Sequence, residues 1–312
     1  MDSQLIPLGK SDVHVSSLGL GAWSWGDRLI WSYGRTHTKD DIADAFHFSL
    51  DAGINFIDTA ESYGSGRSER NLGELLPSSG TPVVLATKFM PFPWRISAKS
   101  MQKALEASLE RLKLTSVDLY QIHFPMPPVS IETWADGLAD MVTLGLVRAV
   151  GVSNFNEIQM RRAYTILAKR GLPLASNQVE YSLLKRAVEW NGLMKACQDL
   201  GISVISYSPL AKGALTGKYT AEKLMTGIRS TFYPRAFIVR IQSLIRLMRE
   251  IGQEHGGKTP AQVALNWCIC KGTIPIPGAK NLRQAQENSA GLGWRLTEND
   301  VAALDKASEA LN

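Results

Sequence analysis

Eight short apolar runs, rich in β-branched residues, alternate with amphipathic segments along most of the chain. A spacing of roughly 30 residues between such runs is typical of βαβ units in a parallel sheet. The runs with strand character span residues 15–23, 54–60, 82–88, 117–123, 146–154, 174–182, 202–209 and 272–279. Helical periodicity lies near residues 38–53, 67–76, 98–113, 131–145, 155–170, 188–200, 238–255 and 281–291, with extra segments at 259–271 and 297–310. We therefore predict an α/β fold, a (β/α)8 TIM barrel with an N-terminal hairpin near residues 4–15 and extra helices, in one domain spanning 1–312.

Several predicted helices carry their own end signals. Ser97 precedes a helical run that ends at Leu112, and Thr297 with Asp300 forms a capping box. Thr259 is followed by a proline, which suits the first turn of a helix. Glycines suited to the left-handed turn after a helix stand at positions 53, 145, 171 and 201.

Asp58, Tyr63, Lys88 and His123 lie at or just beyond the C-terminal ends of three different predicted strands. If those strands are consecutive in one barrel, the four side chains converge at the mouth where barrel enzymes keep their chemistry. An ammonium held by a carboxylate stabilises a nearby phenolate, so we expect Lys88 to lower the pKa of Tyr63 below its usual value near 10. Tyr63 would then donate a proton to a carbonyl oxygen that His123 orients or polarises. This chemistry needs no metal, and the histidines show no pair at ligand spacing.

Composition narrows the class of protein. Apolar residues make up 45% of the chain and charged residues 20%, the balance of a globular protein. The net charge of +5 comes from scattered basic residues, which does not indicate a nucleic-acid partner. The three cysteines suit a reducing compartment, and no apolar run reaches the length of a membrane helix. We expect a cytoplasmic protein without membrane partners, or a plastid one if a transit peptide was removed, that is a monomer or weak homo-oligomer.

The sequence segments around these four residues resemble those of the aldo-keto reductase superfamily. NFIDTAESYG, VVLATK, LYQIH, VGVSNF and NQVEYSLL occur in the family's order and spacing, from about Leu18 to about Leu292. GAWSWGD, ATKFMPFPWR and NWCICKGTIPIPGAK are similar to pyridoxal-reductase-like members of plants, cyanobacteria and bacteria. The resemblance implies a short C-terminal tail and a catalytic tetrad of Asp58, Tyr63, Lys88 and His123. Some channel-associated relatives lack the histidine, so its presence favours a working reductase.

The same resemblance implies NADPH as the cofactor. The chain has no GxGxxG after its first strand, whereas barrels commonly bind phosphate in the loops after strands seven and eight. The long polar stretch 210–236 is predicted to be a flap over a ligand. Lys280, with Arg229 and Arg283 as helpers, offers charge to a 2′-phosphate and predicts NADPH over NADH. The predicted cofactor-binding residues are Ala22, Trp23, Asp58, Ser153, Asn154, Gln178, Tyr207, Ser208, Pro209, Leu210, Gly213, Lys218, Arg229, Gly278, Lys280, Gln284, Glu287 and Asn288.

Aromatic residues in the loops around the tetrad predict a pocket for a planar or apolar carbonyl substrate. The predicted pocket residues are Trp23, Trp25, Phe89, Trp94, Phe124 and Phe232, with Trp31, Phe92 and Tyr233 nearby. The segment PFPWR resembles pyridoxal-reducing members of the family, and this resemblance implies pyridoxal as the specific substrate. Its Arg95 either faces an anionic substrate group or is solvated on the surface.

Two alternatives remain open at this point. A lysine at the end of a barrel strand can act as a Schiff-base nucleophile, which would make the protein a lyase or aldolase that uses Lys88. A barrel that binds NADPH and turns over slowly would be a regulatory or redox-sensing protein. The intact tetrad favours NADPH-dependent reduction of aldehydes and ketones to alcohols over both.

Overall fold

A short antiparallel hairpin opens the part of the chain that the computed structural model describes, residues 5–311. Its strands are β1 (Ile6–Pro7) and β2 (His14–Val15). Eight parallel strands follow, β3 (Leu20–Gly21), β4 (Phe56–Asp58), β5 (Val84–Phe89), β6 (Val117–Ile122), β7 (Val147–Ser153), β8 (Leu174–Glu180), β9 (Ser203–Tyr207) and β10 (Ile274–Ile276). Each predicted apolar run therefore overlaps one of these parallel strands.

The eight strands pair in chain order from β3 to β10, each parallel to the next. The two outer strands meet again, because Gly21 bridges Gly278 in parallel and the Gly19 amide donates to Pro275 O at 2.9 Å. Gly21 permits this approach, since a Cβ there would lie 2.8 Å from Ile276 O. The sheet thus closes into the predicted (β/α)8 barrel.

The helices that connect and cover these strands follow the predicted segments closely. They are α1 (Lys39–Asp51), α2 (Arg67–Leu75), α3 (Ala98–Leu112), α4 (Ile131–Thr143), α5 (Glu157–Lys169), α6 (Ala187–Trp190), α7 (Leu193–Leu200), α8 (Arg229–Phe232), α9 (Arg235–Arg240), α10 (Gln242–Glu254), α11 (Pro260–Cys270), α12 (Leu282–Ser289) and α13 (Glu298–Glu309). The predicted helix 188–200 divides into α6 and α7 at Gly192, whose φ of +85° interrupts the helix. The stretch 210–236 is not a plain loop, because it contains a 3-10 turn at Ala211–Thr216 as well as α8.

The predicted helix ends are present in the structure. Capping boxes begin α3, α11 and α13 at Ser97, Thr259 and Thr297. All four glycines predicted to follow a helix have a positive φ.

The hairpin closes the N-terminal end of the barrel. Leu8, Val13 and Val15 belong to a buried apolar cluster inside the barrel, together with Phe56 and Leu119. The Gly9 amide donates to Ser203 Oγ at the start of β9, at 2.8 Å. With this end filled, the C-terminal ends of the strands form the open mouth. Among residues 5–311, no helix combines the length and apolar character needed to cross a membrane.

Candidate active site

The structure brings the four predicted tetrad residues together at the open mouth of the barrel. Asp58 is the last residue of β4, Lys88 is the last but one of β5, and His123 directly follows β6. Tyr63 lies in the loop between β4 and α2. Neighbouring parallel strands therefore place residues that are distant in sequence around one point.

Lys88 is the centre of this group. Its Nζ donates to Asp58 Oδ1 at 2.5 Å, to Thr59 O at 2.8 Å and to the Tyr63 hydroxyl at 3.2 Å. An ammonium has three protons to donate, so these contacts satisfy it completely. The Lys88 side chain is fully buried and does not line the cavity. An amine held in this way is poorly placed to attack a carbonyl, which argues against the Schiff-base alternative.

Two amides complete the contacts of Asp58. Gln178 Nε2 donates to Asp58 Oδ2 at 2.8 Å, and Gln121 Nε2 donates to the same oxygen at 3.3 Å. Asp58 is buried, and a buried carboxylate stays charged at low cost only when it is paired and hydrogen-bonded. The Asp58–Lys88 pair meets both conditions.

Burial changes the predicted acidity of Tyr63. Burial raises the pKa of Tyr63 above 10, whereas the Lys88 charge and hydrogen bond lower it and the Asp58 charge raises it. The net direction is upward, so the expectation of a lowered pKa is wrong, because removal from water outweighs the neighbouring ammonium. Burial lowers the pKa of Lys88, but the Asp58 carboxylate and the Tyr63 phenol raise it more. At neutral pH the pair is a protonated phenol beside a charged ammonium.

His123 is held as a neutral imidazole. Burial and then the Lys88 charge lower the pKa of His123 to about 3. Its ring stacks on Phe124 and meets the Tyr63 ring edge to face, with centroids 4.9 and 5.8 Å apart. Ser62, which also lines the cavity, has its Oγ 3.4 Å from His123 Nδ1. A neutral imidazole can donate one hydrogen bond to an oxygen without competing for the proton of Tyr63.

A cavity of about 700 Å³ lies directly above the tetrad. Asp58, Tyr63 and His123 form part of its wall, and its volume falls in the range of ligand pockets. The predicted cofactor residues that line it are Trp23, Asp58, Ser153, Asn154, Gln178, Tyr207, Ser208, Pro209, Leu210, Gly213, Lys218, Gly278, Lys280, Gln284, Glu287 and Asn288. Ala22 is buried below the wall, where its carbonyl accepts from Ser68 Oγ. The side chain of Arg229 lies outside the described residues.

One end of the cavity is cationic. Lys212, Lys218, Lys280 and Arg283 line it, and the Lys280 Nζ donates to Trp31 O at 2.9 Å. The backbone of the loop after β9 turns left-handed at several residues, with positive φ at Ser208, Ala211, Lys212 and Gly213. Loops of this kind expose amide groups that hold anions. The donors and charges at this end therefore fit the phosphate groups of a dinucleotide.

Three polar contacts order the wall between the tetrad and this cationic end. The Tyr207 hydroxyl donates to Asn154 Oδ1 at 2.9 Å, and Asn154 Nδ2 donates to His123 O at 3.0 Å. Ser153 Oγ donates to Gln178 O at 2.9 Å. The ends of β7, β8 and β9 thus present a fixed set of polar groups and one aromatic ring to the cavity.

The other end of the cavity is aromatic, and four of the predicted pocket residues do not reach it. Trp23, Met90 and Phe124 line this end. Trp31 joins the two ends, because its ring centroid lies 5.6 Å from that of Trp23 and 4.9 Å from the Lys280 Nζ. Trp25 is fully buried against Phe46, with its Nε1 donating to Ala279 O, and Phe89 is fully buried against Trp134. Trp94 is 72% exposed and stacks on Phe92, and Phe232 is 50% exposed under the Lys212 ammonium. These four residues are removed from the proposed pocket.

Several residues of the site were not singled out from the sequence. Met90, Ser62 and Lys212 line the cavity, and Gln121 binds Asp58. Gln121 is a polar residue within an apolar strand, and this pattern indicates a buried side chain that needs a hydrogen-bond partner. Met90 and Ser62 are ordinary loop residues, and only the folded loops show that they face the cavity.

The sequence matches a known family model. The model described as "Aldo/keto reductase family" matches residues 17–309. A relative named "Pyridoxal reductase, chloroplastic" from Arabidopsis thaliana is 43% identical over 309 residues, which cover 95% of this chain and 84% of that one. An aldo-keto reductase of Bacillus subtilis is 30% identical over 97% of this chain and 92% of that protein.

Solved structures agree with this match. The glycerol dehydrogenase of Gluconobacter oxydans superposes with a TM-score of 0.85 at 27% identity, covering 98% of this chain and 95% of that one. A thermostable aldo-keto reductase solved with the inhibitor epalrestat superposes with a TM-score of 0.78 at 26% identity, covering 97% and 99%. The similarity therefore extends over nearly the whole length of each protein.

Proposed function

Because this chain belongs to the aldo/keto reductase family, we propose that it uses NADPH to reduce aldehydes or ketones to alcohols, with Tyr63 as the proton donor. The observation that carries this proposal is the series of contacts from Asp58 through the buried Lys88 to the Tyr63 hydroxyl, at 2.5 and 3.2 Å, which ends at the cavity wall. These contacts place one phenolic proton at a single defined point of the barrel mouth.

Each member of the tetrad has a role in this proposal. When bound, NADPH would supply a hydride to the carbonyl carbon. Tyr63 gives its proton to the carbonyl oxygen, and Lys88 stabilises the phenolate that remains. Asp58 keeps Lys88 charged and in place. Neutral His123 donates a hydrogen bond to the same oxygen as negative charge develops on it.

The polar wall of the cavity supports the proposed orientation of the cofactor. Ser153, Asn154 and Gln178 would hold the carboxamide of the nicotinamide, and Tyr207 would stack on its ring. All four line the cavity beside Tyr63 and His123. The left-handed loop after β9 would hold the pyrophosphate.

The preference for NADPH rests on Lys280 and its neighbours. Lys280 lies just before α12 and keeps its ammonium at the cationic end of the cavity, within hydrogen-bond distance of Trp31 O. The positive charge of this ammonium would attract the negative charge of a 2′-phosphate. Arg283 lies on the same wall, in the first turn of α12.

Pyridoxal is the specific substrate that we propose. The aromatic end of the cavity, with Trp23 and Phe124 and with Trp31 beside Trp23, suits a planar ring. The pyridoxal reductase of Arabidopsis thaliana, 43% identical, points to the same substrate by its name.

A panel of carbonyl compounds tests the proposed function. Pyridoxal, methylglyoxal and several aromatic aldehydes are each mixed with the protein and NADPH, and the loss of NADPH absorbance is followed. We expect reduction of aromatic aldehydes and of pyridoxal, with the alcohol formed in step with NADPH consumed. NADPH binding without turnover of any compound would favour the slow, regulatory alternative, and borohydride trapping of a substrate on Lys88 would favour the lyase.

A further inference from the structure

Glu61 and Arg95 form an ion pair beside the tetrad that the proposed chemistry does not use. Both branches of the Arg95 guanidinium contact the Glu61 carboxylate, with Nη1 at Oε1 and Nη2 donating to Oε2 at 2.9 Å. The Glu61 side chain is 8% exposed and that of Arg95 is 19% exposed. Arg95 is therefore bound to Glu61 and does not line the cavity. Both interpretations made from the sequence, a contact with an anionic substrate group and a solvated surface residue, are wrong.

The same pair holds the backbone at the end of β5. The Met90 amide donates to Glu61 Oε1 at 2.7 Å, and Arg95 Nη1 donates to Met90 O at 2.8 Å. The guanidinium also lies over the rings of Phe89 and Phe92, 5.1 and 5.3 Å from their centroids. Both polar groups of one residue, Met90, are thus bound by one ion pair.

This arrangement links the two segments that must meet in the tetrad. Glu61 stands two residues before Tyr63 in the loop after β4, and Met90 stands two residues after Lys88. The pair therefore spans from the loop that carries the phenol to the strand that carries the ammonium. Lys88 also contacts this loop directly, at Thr59 O (2.8 Å) and at the Tyr63 hydroxyl (3.2 Å).

We propose that Glu61 and Arg95 are positioning residues, which fix the Tyr63 hydroxyl against the Lys88 ammonium and set the Met90 wall of the cavity. The proposal rests on the proposed function only for its effect on turnover. An arginine suits this task because its planar fork binds a carboxylate in two places at once, which sets direction as well as distance. A lysine in its place would keep the positive charge but could not bind the Glu61 carboxylate in a fixed orientation.

The pair also has a predicted effect on the titration of Tyr63. The titratable groups that face Tyr63 are Asp58 on β4, Lys88 on β5, His123 after β6 and Tyr207 on β9. Of these, Lys88 lowers the pKa of Tyr63 and Asp58 raises it. If the Tyr63 phenol moves away from the Lys88 ammonium, the ammonium stabilises the phenolate less, and the pKa of Tyr63 rises further.

The experiment compares Glu61→Gln and Arg95→Lys with the unaltered protein. We expect kcat for an aromatic aldehyde to fall on the order of 100-fold, as for a small misplacement of a catalytic group, with NADPH affinity unchanged. The pKa of Tyr63 is read separately, from the ultraviolet absorbance of tyrosinate after subtraction of the matching Tyr63→Phe variant. We expect it to be higher in both variants, and the alkaline limit of reduction to move to higher pH with it.

A matched control and a rescue separate positioning from general loss of structure. Glu132→Gln breaks a similar two-pronged pair with Arg162 on the outer helices, and it should leave kcat and the Tyr63 titration unchanged. Arg95→Ala should regain part of its activity when guanidinium ions are added at low concentration.

Two outcomes would overturn the proposal. One is unchanged kcat and an unchanged Tyr63 titration in Glu61→Gln and Arg95→Lys. The other is an equal loss of activity in Glu132→Gln, which would show that any such pair acts through stability alone. A failure of the proposed function would look different, because the unaltered protein would then reduce no carbonyl while the tyrosinate titration could still respond.

Discussion

The Lys88 ammonium lies 3.2 Å from the Tyr63 hydroxyl, and Lys88 is fully buried. Because the ammonium is removed from bulk water, its charge acts on the phenol more strongly than it would on the surface. Burial still raises the pKa of Tyr63 overall, so the phenol keeps its proton through the neutral range and is ready to donate it.

Removing only the phenolic oxygen tests the role of Tyr63. We expect Tyr63→Phe to lose carbonyl reduction by about 100- to 10,000-fold, the usual contribution of a general acid, because the ring remains and the proton does not. Binding of NADPH, measured by fluorescence titration, should be kept. Full activity in this variant would refute the assignment of Tyr63.

Replacing Lys88 should affect both chemistry and stability. Lys88→Met leaves Asp58 as an unpaired buried charge, which we expect to lower the free energy of unfolding by about 3–5 kcal/mol. The pKa of Tyr63 should rise in this variant, since the charge that lowers it is gone. Urea unfolding and the pH dependence of kcat measure the two effects.

A second variant separates these effects of Lys88. Asp58→Asn combined with Lys88→Met removes both charges, so stability should return toward that of the unaltered protein while activity stays low. Recovery of activity together with stability would show that the pair is structural only.

The barrel and the meeting of the tetrad could be predicted because parallel strands end at one edge of the sheet. The run 15–23 shows where this reasoning loses detail. Its first residue, Val15, pairs with Ile6 in the hairpin, and only Leu20–Gly21 joins the barrel. One apolar run is divided between two sheets, and hydrophobicity alone does not show the division.

The wrongly predicted pocket residues have a similar physical explanation. Phe89 adjoins Lys88 on β5, and neighbouring residues of a strand point to opposite faces. Lys88 points into the barrel, so Phe89 points outward and packs on Trp134 of α4. The direction of the Tyr63 pKa shift needed the depth of burial, which depends on loops that sequence patterns do not fold.

The neutral state of His123 gives a prediction on pH. Because its pKa is lowered to about 3, His123 should not titrate in the working range, and kcat/KM should show no step near pH 6.5 that depends on it. His123→Gln keeps a hydrogen-bond donor, so its profile should have the same shape at a lower rate. A step near pH 6.5 that disappears in His123→Gln would contradict this assignment.

The same shift predicts how stability depends on pH. In the unfolded chain His123 binds a proton below about pH 6.5, whereas in the folded protein it does so only near pH 3. Protonation therefore favours the unfolded state as pH falls from 6.5 toward 3, and stability decreases over that interval. Urea unfolding at pH 7.5 and pH 4.5 should show a smaller difference in His123→Gln than in the unaltered protein.

Lys280 decides the proposed preference between the two nicotinamide cofactors. We expect Lys280→Ala to raise the KM for NADPH by about 10- to 100-fold, the value of a hydrogen bond to a charged group, and to change the KM for NADH little. Lys280 also donates to Trp31 O, so the carbonyl KM is measured with NADH to detect any separate effect on that loop. Lys195→Ala removes an equal charge from an exposed position on α7 and serves as the control. Equal use of NADPH and NADH by the unaltered protein would show that the cationic end of the cavity does not recognise the 2′-phosphate.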